Sequence, residues 1–261
     1  MNFSDLGLSA NTVQAIEEYG IKEPTTVQND VIPSILQGRD VFTIAPRGCG
    51  KTTSYVFPLL DIISAKGGQN ILIITPDSEQ SVVVSDRLSV FNKYHEINEA
   101  TVKDSDEDID NEANVVIGSP DLLLDLAENG RADFSKTNIL VVDDINLIKK
   151  NKQLENLEKI LLLLPGDKQN IVYTNRRSKE TGEVLEKILK TPEEIKIDKN
   201  KEQEAAQSAS RQKPEAPVRH NASRAAASFD PESMELCQKY KSFNGRVPNF
   251  ILTKGILAEG E

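Results

Sequence analysis

The sequence predicts an α/β fold in which a parallel sheet is covered by helices on both faces. From the start of the chain to about Ile197, apolar runs of strand length alternate with amphipathic segments of helix length. Runs that are apolar throughout are typical of strands buried on both faces, and their alternation with helices is typical of parallel sheets. Apolar residues make up 38% of the 261 residues, which is enough to bury such a core.

Five strands are predicted from short, β-branched runs that end at turn residues or at the start of a helix. They are Val41–Ala45, Ile71–Thr75, Val115–Gly118, Ile139–Asp143 and Asn170–Thr174. The segments between and after them have the period of a helix. They predict helices at Thr53–Ala65, Ser78–Lys93, Pro120–Asn129, Lys152–Leu163 and Ser178–Leu189.

The composition changes after the last predicted helix. Residues 199–228 are mostly Ala, Gln, Ser, Arg, Glu and Pro without an apolar period, which predicts a disordered linker between a domain at 1–198 and a tail at 229–261. The tail contains a predicted helix start, Phe229–Ser233, but is too small to form a core of its own. We expect it to dock on the main domain or to serve a partner.

Composition also limits the setting and the partners. The chain has two cysteines without disulfide spacing and no tryptophan, which predicts a reducing, cytoplasmic location. No apolar run approaches the length needed to cross a bilayer, so we expect no membrane contact. The net charge of -10 argues against a chain that attracts nucleic acid through its overall field. Acidity is also ordinary for a soluble protein.

The strongest chemical signal is the segment from Ala45 to Thr52, which follows a predicted strand and opens a helix. This context predicts a phosphate-binding loop. Small residues let successive backbone N–H groups surround phosphates, a lysine reaches the terminal phosphates, and a hydroxyl ligates Mg²⁺. The predicted nucleotide-binding residues of this loop are Arg47, Gly48, Cys49, Gly50, Lys51 and Thr52. A glycine-rich turn that binds nothing would not need Lys51 and Thr52 at this spacing.

Over roughly residues 1–198 the chain resembles the DEAD-box RNA helicases in several motifs that occur in family order. Phe3, Gly20-Ile21 and the segment 23–28 resemble the aromatic residue and the Q motif of that family. Residues 45–52 resemble its motif AxTGxGKT, with Arg47 where a threonine usually stands. Residues 141–146, Val-Val-Asp-Asp-Ile-Asn, occupy the place of the Asp-Glu-Ala-Asp box.

The resemblance implies a RecA-like three-layer domain that binds ATP and Mg²⁺. It implies that Phe3 and Gln28 contact adenine, since a glutamine side chain matches the donor and acceptor of one adenine edge. It also implies that Lys51 binds phosphates, that Asp143 holds Mg²⁺, and that Asp144 replaces the glutamate that activates water. From the residues alone, the two acids are also suited to capping the following helix.

The departures from the family pattern fall in the motifs that touch RNA in that family. Asp77 and Leu122 each stand where an arginine is expected, and the segment 104–112 carries six acidic residues. A carboxylate repels a phosphate backbone, and each lost cation removes its share of counterion release. We therefore expect RNA to bind weakly. The acidic segment would have no such effect if it were a solvated loop that points elsewhere.

The resemblance also predicts slow hydrolysis. Tyr173-Thr174-Asn175 stands for the family's Ser-Ala-Thr motif, and Asn146 replaces the last aspartate of the box. Asp144 is one methylene shorter than glutamate, and a displacement near 1 Å costs about 100-fold in rate. No second RecA-like domain follows Ile197 in this sequence, and arginines from such a domain are worth roughly 10³–10⁵ in rate.

Three hypotheses about function follow. The first is an ATPase or helicase component that gains its missing half from another chain. The second is a nucleotide-responsive regulator or scaffold that engages a protein through the acidic segment 104–112 or the tail 229–261. The third places RNA contact in the linker, where glutamates dilute a thin scatter of basic residues and an ordinary solvated linker is the simpler explanation.

Overall fold

The computed structural model describes residues 2–67, 70–104, 109 and 113–197, and it contains a seven-stranded, all-parallel sheet. The strand order across the sheet is β3-β4-β2-β5-β6-β1-β7. The predicted linker, the tail and most of the acidic segment lie outside the described residues. The strands are β1 Val41–Ile44, β2 Ile71–Ile74, β3 Glu99–Thr101, β4 Val115–Gly118, β5 Ile139–Val142, β6 Gln169–Thr174 and β7 Glu193–Lys196.

Helices cover both faces of this sheet, as the sequence predicts. Alternate strand residues enter two separate cores: Ile71 and Ile73 pack in one, and Leu72 and Ile74 in the other. Helices α1 to α4 contribute to the first core and α5 to α8 to the second. The helices are α1 Ala10–Tyr19, α2 Thr26–Leu36, α3 Lys51–Lys66, α4 Ser78–Phe91, α5 Pro120–Glu128, α6 Ile145–Lys150, α7 Leu154–Leu163 and α8 Gly182–Ile188.

The five predicted strands are confirmed to within one residue at each end, whereas the two edge strands were not predicted. In β7 only Ile195 is buried, and in β3 no residue is fully buried. An edge strand has a neighbour on one side only, so it needs no continuous apolar run. The other differences are in helices: α1, α2 and α6 were not predicted, and α8 is shorter at both ends than the segment Ser178–Leu189.

The parallel topology decides where functional side chains can meet. Every strand of a parallel sheet has its carboxyl end at the same edge, and ligands of open α/β sheets bind in the crevice at that edge. The loop after β1 and the loop after β5 both leave from this edge, with the end of β6 between them. Within the described residues, no helix has the length and apolarity that a bilayer crossing requires.

Candidate nucleotide-binding site

The predicted phosphate loop connects β1 to α3. Gly48 and Gly50 have φ angles of 83° and 89°, a left-handed conformation that glycine adopts without strain. A side chain at position 50 would also meet Gln28, whose Nε2 lies 2.8 Å from an ideal Cβ there. Helix α3 begins at Lys51, and no side chain caps it. The first N–H groups of the helix are therefore available to an anion, as phosphate binding requires.

The structure brings the three predicted catalytic residues together. Lys51 Nζ lies 4.0 Å from Asp144 Oδ2, and these side chains are only 10% and 6% exposed. Lys51 also donates to the carbonyl oxygen of Ala45 at 3.3 Å. Asp143 and Asp144 follow β5 and are both buried. A cation that follows β1 and two carboxylates that follow β5 thus share one shielded location at the carboxyl edge of the sheet, where their charges act over short distances.

Asp143 is held by two neutral donors. Tyr55 Oη and Gln80 Nε2 both donate to Asp143 Oδ2, at 3.3 and 3.1 Å. Burial raises the pKa of Asp143, and the bond from Gln80 and the charge of Lys51 oppose that rise. Burial raises the pKa of Tyr55, and the neighbouring side chain of Thr52 opposes that rise. The two residues predicted to hold Mg²⁺, Thr52 and Asp143, therefore adjoin the same tyrosine hydroxyl.

Asp144 has an unusual backbone and an unused oxygen. Its φ of 63° and ψ of 74° place it in the left-handed region, which aspartate tolerates better than most residues. It occupies the N-cap position of α6, but its side chain makes no capping hydrogen bond. Asp144 Oδ1 is buried and has no hydrogen-bond partner. A buried carboxylate oxygen without a partner is costly, so helix capping does not explain this residue.

The donor set fits Mg²⁺. The hydroxyl of Thr52, the carboxylate of Asp143 and the unpartnered Oδ1 of Asp144 are all hard oxygen ligands. Among the described residues there is no group of three or more His, Cys, Asp or Glu side chains that could hold a metal ion. Mg²⁺ is normally held by one or two carboxylates, with phosphates and water completing its shell. These residues therefore suit a cation that arrives with a nucleotide.

The two residues predicted to contact adenine are engaged inside the protein. Gln28 Nε2 donates to Thr53 Oγ1 at 2.7 Å, and its Oε1 accepts from the backbone N–H of Thr25 at 2.9 Å. Phe3 is 3% exposed and packs edge-on against Phe57. In this conformation both polar atoms of the Gln28 side chain are bonded within the protein, next to Gly50 of the phosphate loop. The buried ring of Phe3 offers no open face to a base. Adenine contact by either residue stays a prediction.

A neutral hydrogen-bond network lies beside the acidic pair and joins the segment after β5 to the end of β6. Asn146 Nδ2 donates to Thr174 Oγ1 at 2.7 Å and to the carbonyl oxygen of Arg176 at 2.6 Å. It also lies 3.3 Å from Asn175 Oδ1. The segment after β5 and the end of β6 are therefore connected, although the residues at both ends of this connection differ from the family pattern. Asn146 makes this link without a charge.

The two positions that lack the expected arginines have structural roles. Asp77 caps α4 by accepting from the backbone N–H of Gln80 at 2.9 Å. Leu122, in the first turn of α5, is half-buried and packs against the second core. Neither position places a positive charge at the carboxyl edge of β2 or β4, so neither can contribute to counterion release on this side of the sheet.

Tyr55 and Gln80 are site residues that were not predicted from the sequence. A tyrosine within the buried segment of α3 was a usable signal, because a buried tyrosine hydroxyl normally needs a partner. Gln80 carries no comparable signal. It lies in the first turn of α4 and becomes a neighbour of Asp143 only because β2 and β5 are adjacent in the sheet.

Comparison with known proteins agrees with this geometry. A sequence model described as DEAD/DEAH box helicase matches residues 25–207, which is more than half of the chain. The chain belongs to the DEAD/DEAH box helicase family. This membership confirms the resemblance found in the motifs.

Two relatives and one solved structure illustrate the family match. The domain is 29% identical over 203 residues to the ATP-dependent RNA helicase DeaD of Escherichia coli (strain K12), covering 75% of this chain and 32% of that protein. It is 28% identical over 202 residues to the DEAD-box ATP-dependent RNA helicase RhpA of Helicobacter pylori (strain B128), covering 75% and 41%. A DEAD box protein from Methanococcus jannaschii superimposes with a TM-score of 0.73 at 26% identity, covering 77% and 57%.

These matches confirm the RecA-like fold of the DEAD-box domain. They also show that the chain spans less than half of the length of the curated relatives named above.

Replacing Asp143 by asparagine is expected to stabilise the protein without nucleotide by about 1 kcal/mol. The pKa of Asp143 is higher in the folded protein than its ordinary 3.8, so the charged form is disfavoured by folding and its cost is present at pH 7. The asparagine oxygen can still accept from Tyr55 and Gln80. Urea unfolding at pH 7 measures the change.

The control is Asp125→Asn, which removes an exposed charge from α5. We expect this control to leave the free energy of unfolding almost unchanged. An Asp143→Asn protein less stable than wild type would contradict the account of a costly buried charge.

Proposed function

We propose that this domain binds ATP together with Mg²⁺ and hydrolyses it slowly, as a diverged relative of the ATP-binding domains of RNA helicases. One observation carries the proposal: Lys51, from the phosphate loop, and the buried pair Asp143 and Asp144, from β5, meet at one edge of the sheet. The loop supplies N–H groups and a cation for phosphates, and the pair supplies oxygen ligands for the cation that accompanies them. When bound, Mg²⁺ neutralises phosphate charge.

The test of nucleotide binding is calorimetric titration of the full chain with ATP, once with Mg²⁺ and once with EDTA. We expect saturable binding that weakens when Mg²⁺ is removed, because the buried carboxylates then repel the phosphates without the charge of the metal between them. Equal affinity in EDTA would show that Asp143 and Asp144 do not act through a metal. A lack of heat at millimolar ATP, confirmed by an unchanged melting temperature, would overturn the proposal.

Slow hydrolysis is supported by the position of Asp144. Its carboxylate is within reach of Lys51, yet its side chain is one methylene shorter than the glutamate of the family pattern. A catalytic group that stops short of the attacking water loses much of its effect. A single-turnover assay with radiolabelled ATP therefore should give a rate far below that of an active family member measured in parallel.

RNA binding is proposed to be weak because the positions that correspond to the family's RNA motifs carry no cation. Replacing Asp77 by arginine changes the local charge by two units next to the carboxyl edge of β2, so we expect affinity for single-stranded RNA to rise about tenfold at low salt. The change removes the cap of α4 at a cost of about 1 kcal/mol. Fluorescence anisotropy over a salt series measures it.

Asp77→Asn is the matched control, since asparagine retains the cap and adds no positive charge. If the arginine variant binds RNA no better than this control, RNA does not pass the end of β2.

A second candidate is a nucleotide-responsive scaffold that does not unwind RNA. The caps and packing made by Asp77 and Leu122 favour it, because both side chains serve the fold where the family pattern has an arginine. It predicts ATP binding without turnover and capture of a protein through the acidic segment or the tail. Deleting residues 199–261 and comparing ATP affinity with partner capture separates this candidate from an ATPase.

A further inference from the structure

A cleft of about 1180 Å³ opens beside the phosphate loop, on the side of the sheet that carries β6, β1 and β7. Its lining is strongly basic, although the chain as a whole has a net charge of -10. Glu194 is the acidic residue in the lining. The cations in the lining are Arg47, Lys149, Lys150, Arg176, Arg177 and Lys196. Local potential in such a cleft is set by the charges that line it.

Part of this charge is already compensated. Arg177 pairs with Glu194, and Lys149 pairs with Glu180. Lys196 also interacts within the protein. Arg47 and Arg176 are exposed, and neither forms an ion pair within the described part of the chain. These two arginines therefore leave a positive charge at the mouth of the phosphate loop.

The sheet register brings the loops that carry the two arginines to neighbouring positions. Strands β1 and β6 are parallel neighbours in which Ile44 pairs with Thr174, and the N–H of Ala45 donates to the carbonyl oxygen of Thr174 at 2.9 Å. Arg176 lies two residues beyond Thr174 of β6, and Arg47 lies three residues beyond Ile44 of β1. Adjacent strands lie about 4.8 Å apart, so the two residues leave the same edge of the sheet together.

The backbone of Arg176 is held by two hydrogen bonds. The carbonyl oxygen of Arg176 accepts from Asn146 Nδ2 at 2.6 Å and from Thr174 Oγ1 at 2.8 Å. Arg47 precedes Gly48 in the loop whose N–H groups are suited to phosphates. Two like charges held at one edge repel each other, and a dianionic group between them would remove that cost. A guanidinium also matches the oxygens of a phosphate through paired hydrogen bonds.

We propose that the side chains of Arg47 and Arg176 bind the terminal phosphate of a nucleoside triphosphate and make the site prefer a triphosphate to a diphosphate. This proposal rests on the proposed nucleotide binding at the same loop. A diphosphate lacks the group that these arginines contact, so their contribution appears only with the triphosphate. The arginines thus supply from this domain part of the positive charge that the nucleotide needs.

The experiment compares the affinities of ADP and of a non-hydrolysable ATP analogue, both with Mg²⁺, in wild type and in the double variant Arg47→Gln, Arg176→Gln. Both side chains are exposed, so we expect the melting temperature to stay unchanged. The ratio of the two affinities is expected to fall about tenfold through loss of analogue binding, because charge-assisted bonds to one phosphate are removed. The matched control is Lys150→Gln, an exposed cation of the same cleft at the far end of α6.

Each outcome separates this proposal from the proposed function. An unchanged ratio in the double variant overturns the arginine assignment while nucleotide binding stands. An equal loss for both nucleotides, or the same loss in Lys150→Gln, also overturns it, because a general field would then be responsible. If wild type binds neither nucleotide, the proposed function fails and this inference fails with it. Partial recovery of the ratio in Arg47→Lys, Arg176→Lys, which restores the charges without the paired hydrogen bonds of a guanidinium, supports the role of the two charges.

Discussion

Replacing Lys51 by alanine is expected to lower the affinity for ATP with Mg²⁺ by about 100-fold, because charge-assisted hydrogen bonds to phosphate are each worth about 1.5–3 kcal/mol. The lysine is held close to the loop by its bond to the carbonyl oxygen of Ala45 and by Asp144. Its side chain therefore needs little reorganisation to reach a bound phosphate, and calorimetric titration measures the loss.

The same substitution also removes the cation that faces the buried carboxylates, so it is expected to lower the stability of the protein without nucleotide. Circular dichroism must confirm that Lys51→Ala is folded at the titration temperature. Lys66→Ala is the matched control, since Lys66 is an exposed residue in the last turn of the same helix. Near wild-type affinity in a folded Lys51→Ala protein would mean that phosphates bind elsewhere.

Replacing Asp144 by glutamate is expected to raise the single-turnover rate of ATP hydrolysis by about 10-fold to 100-fold, because the carboxylate is moved by roughly 1 Å or more toward the position of the attacking water. Affinity for ATP with Mg²⁺ should change little, since Lys51, Thr52 and Asp143 are unaltered and glutamate keeps a carboxylate at position 144. Quenched-flow measurement with excess protein isolates this step from product release.

The glutamate variant has a cost that can be measured separately. Asp144 has a φ of 63°, in the left-handed region that glutamate adopts less readily than aspartate. We therefore expect the variant to lose about 1 kcal/mol of stability. Asp144→Asn is the matched control: it keeps the length of the side chain and removes the base. If the glutamate variant hydrolyses ATP no faster than wild type, the length of Asp144 does not limit the rate.

The parts of the fold predicted from the sequence are those with continuous burial. Strand β2, Ile71–Ile74, is buried along its whole length and could be identified from its apolar run. Strand β7 could not, since Glu193, Glu194 and Lys196 are not buried and only Ile195 enters a core. Burial on both faces requires a continuous apolar run in the sequence, whereas hydrogen bonding at a sheet edge requires no particular type of residue.

The candidate site was predictable in its motifs and not in its contacts. Lys51 and Asp143 could be named because a phosphate loop and an acidic pair each follow an apolar strand. The sequence does not contain the information that Gln28 donates to Thr53 in the first turn of α3, or that Gln80 donates to Asp143. Such contacts depend on which strands become neighbours, and the strand order is a property of the folded sheet.

The most direct test of the central claim is a crystal structure of the chain grown with Mg²⁺ and a non-hydrolysable ATP analogue. We expect phosphates against the backbone N–H groups from Gly48 to Thr52, Lys51 Nζ on the terminal phosphates, and the metal on the side of Asp143 and Asp144. A triphosphate bound away from this loop would contradict the claim. So would phosphates at the loop with both carboxylates still turned inward and no metal beside them.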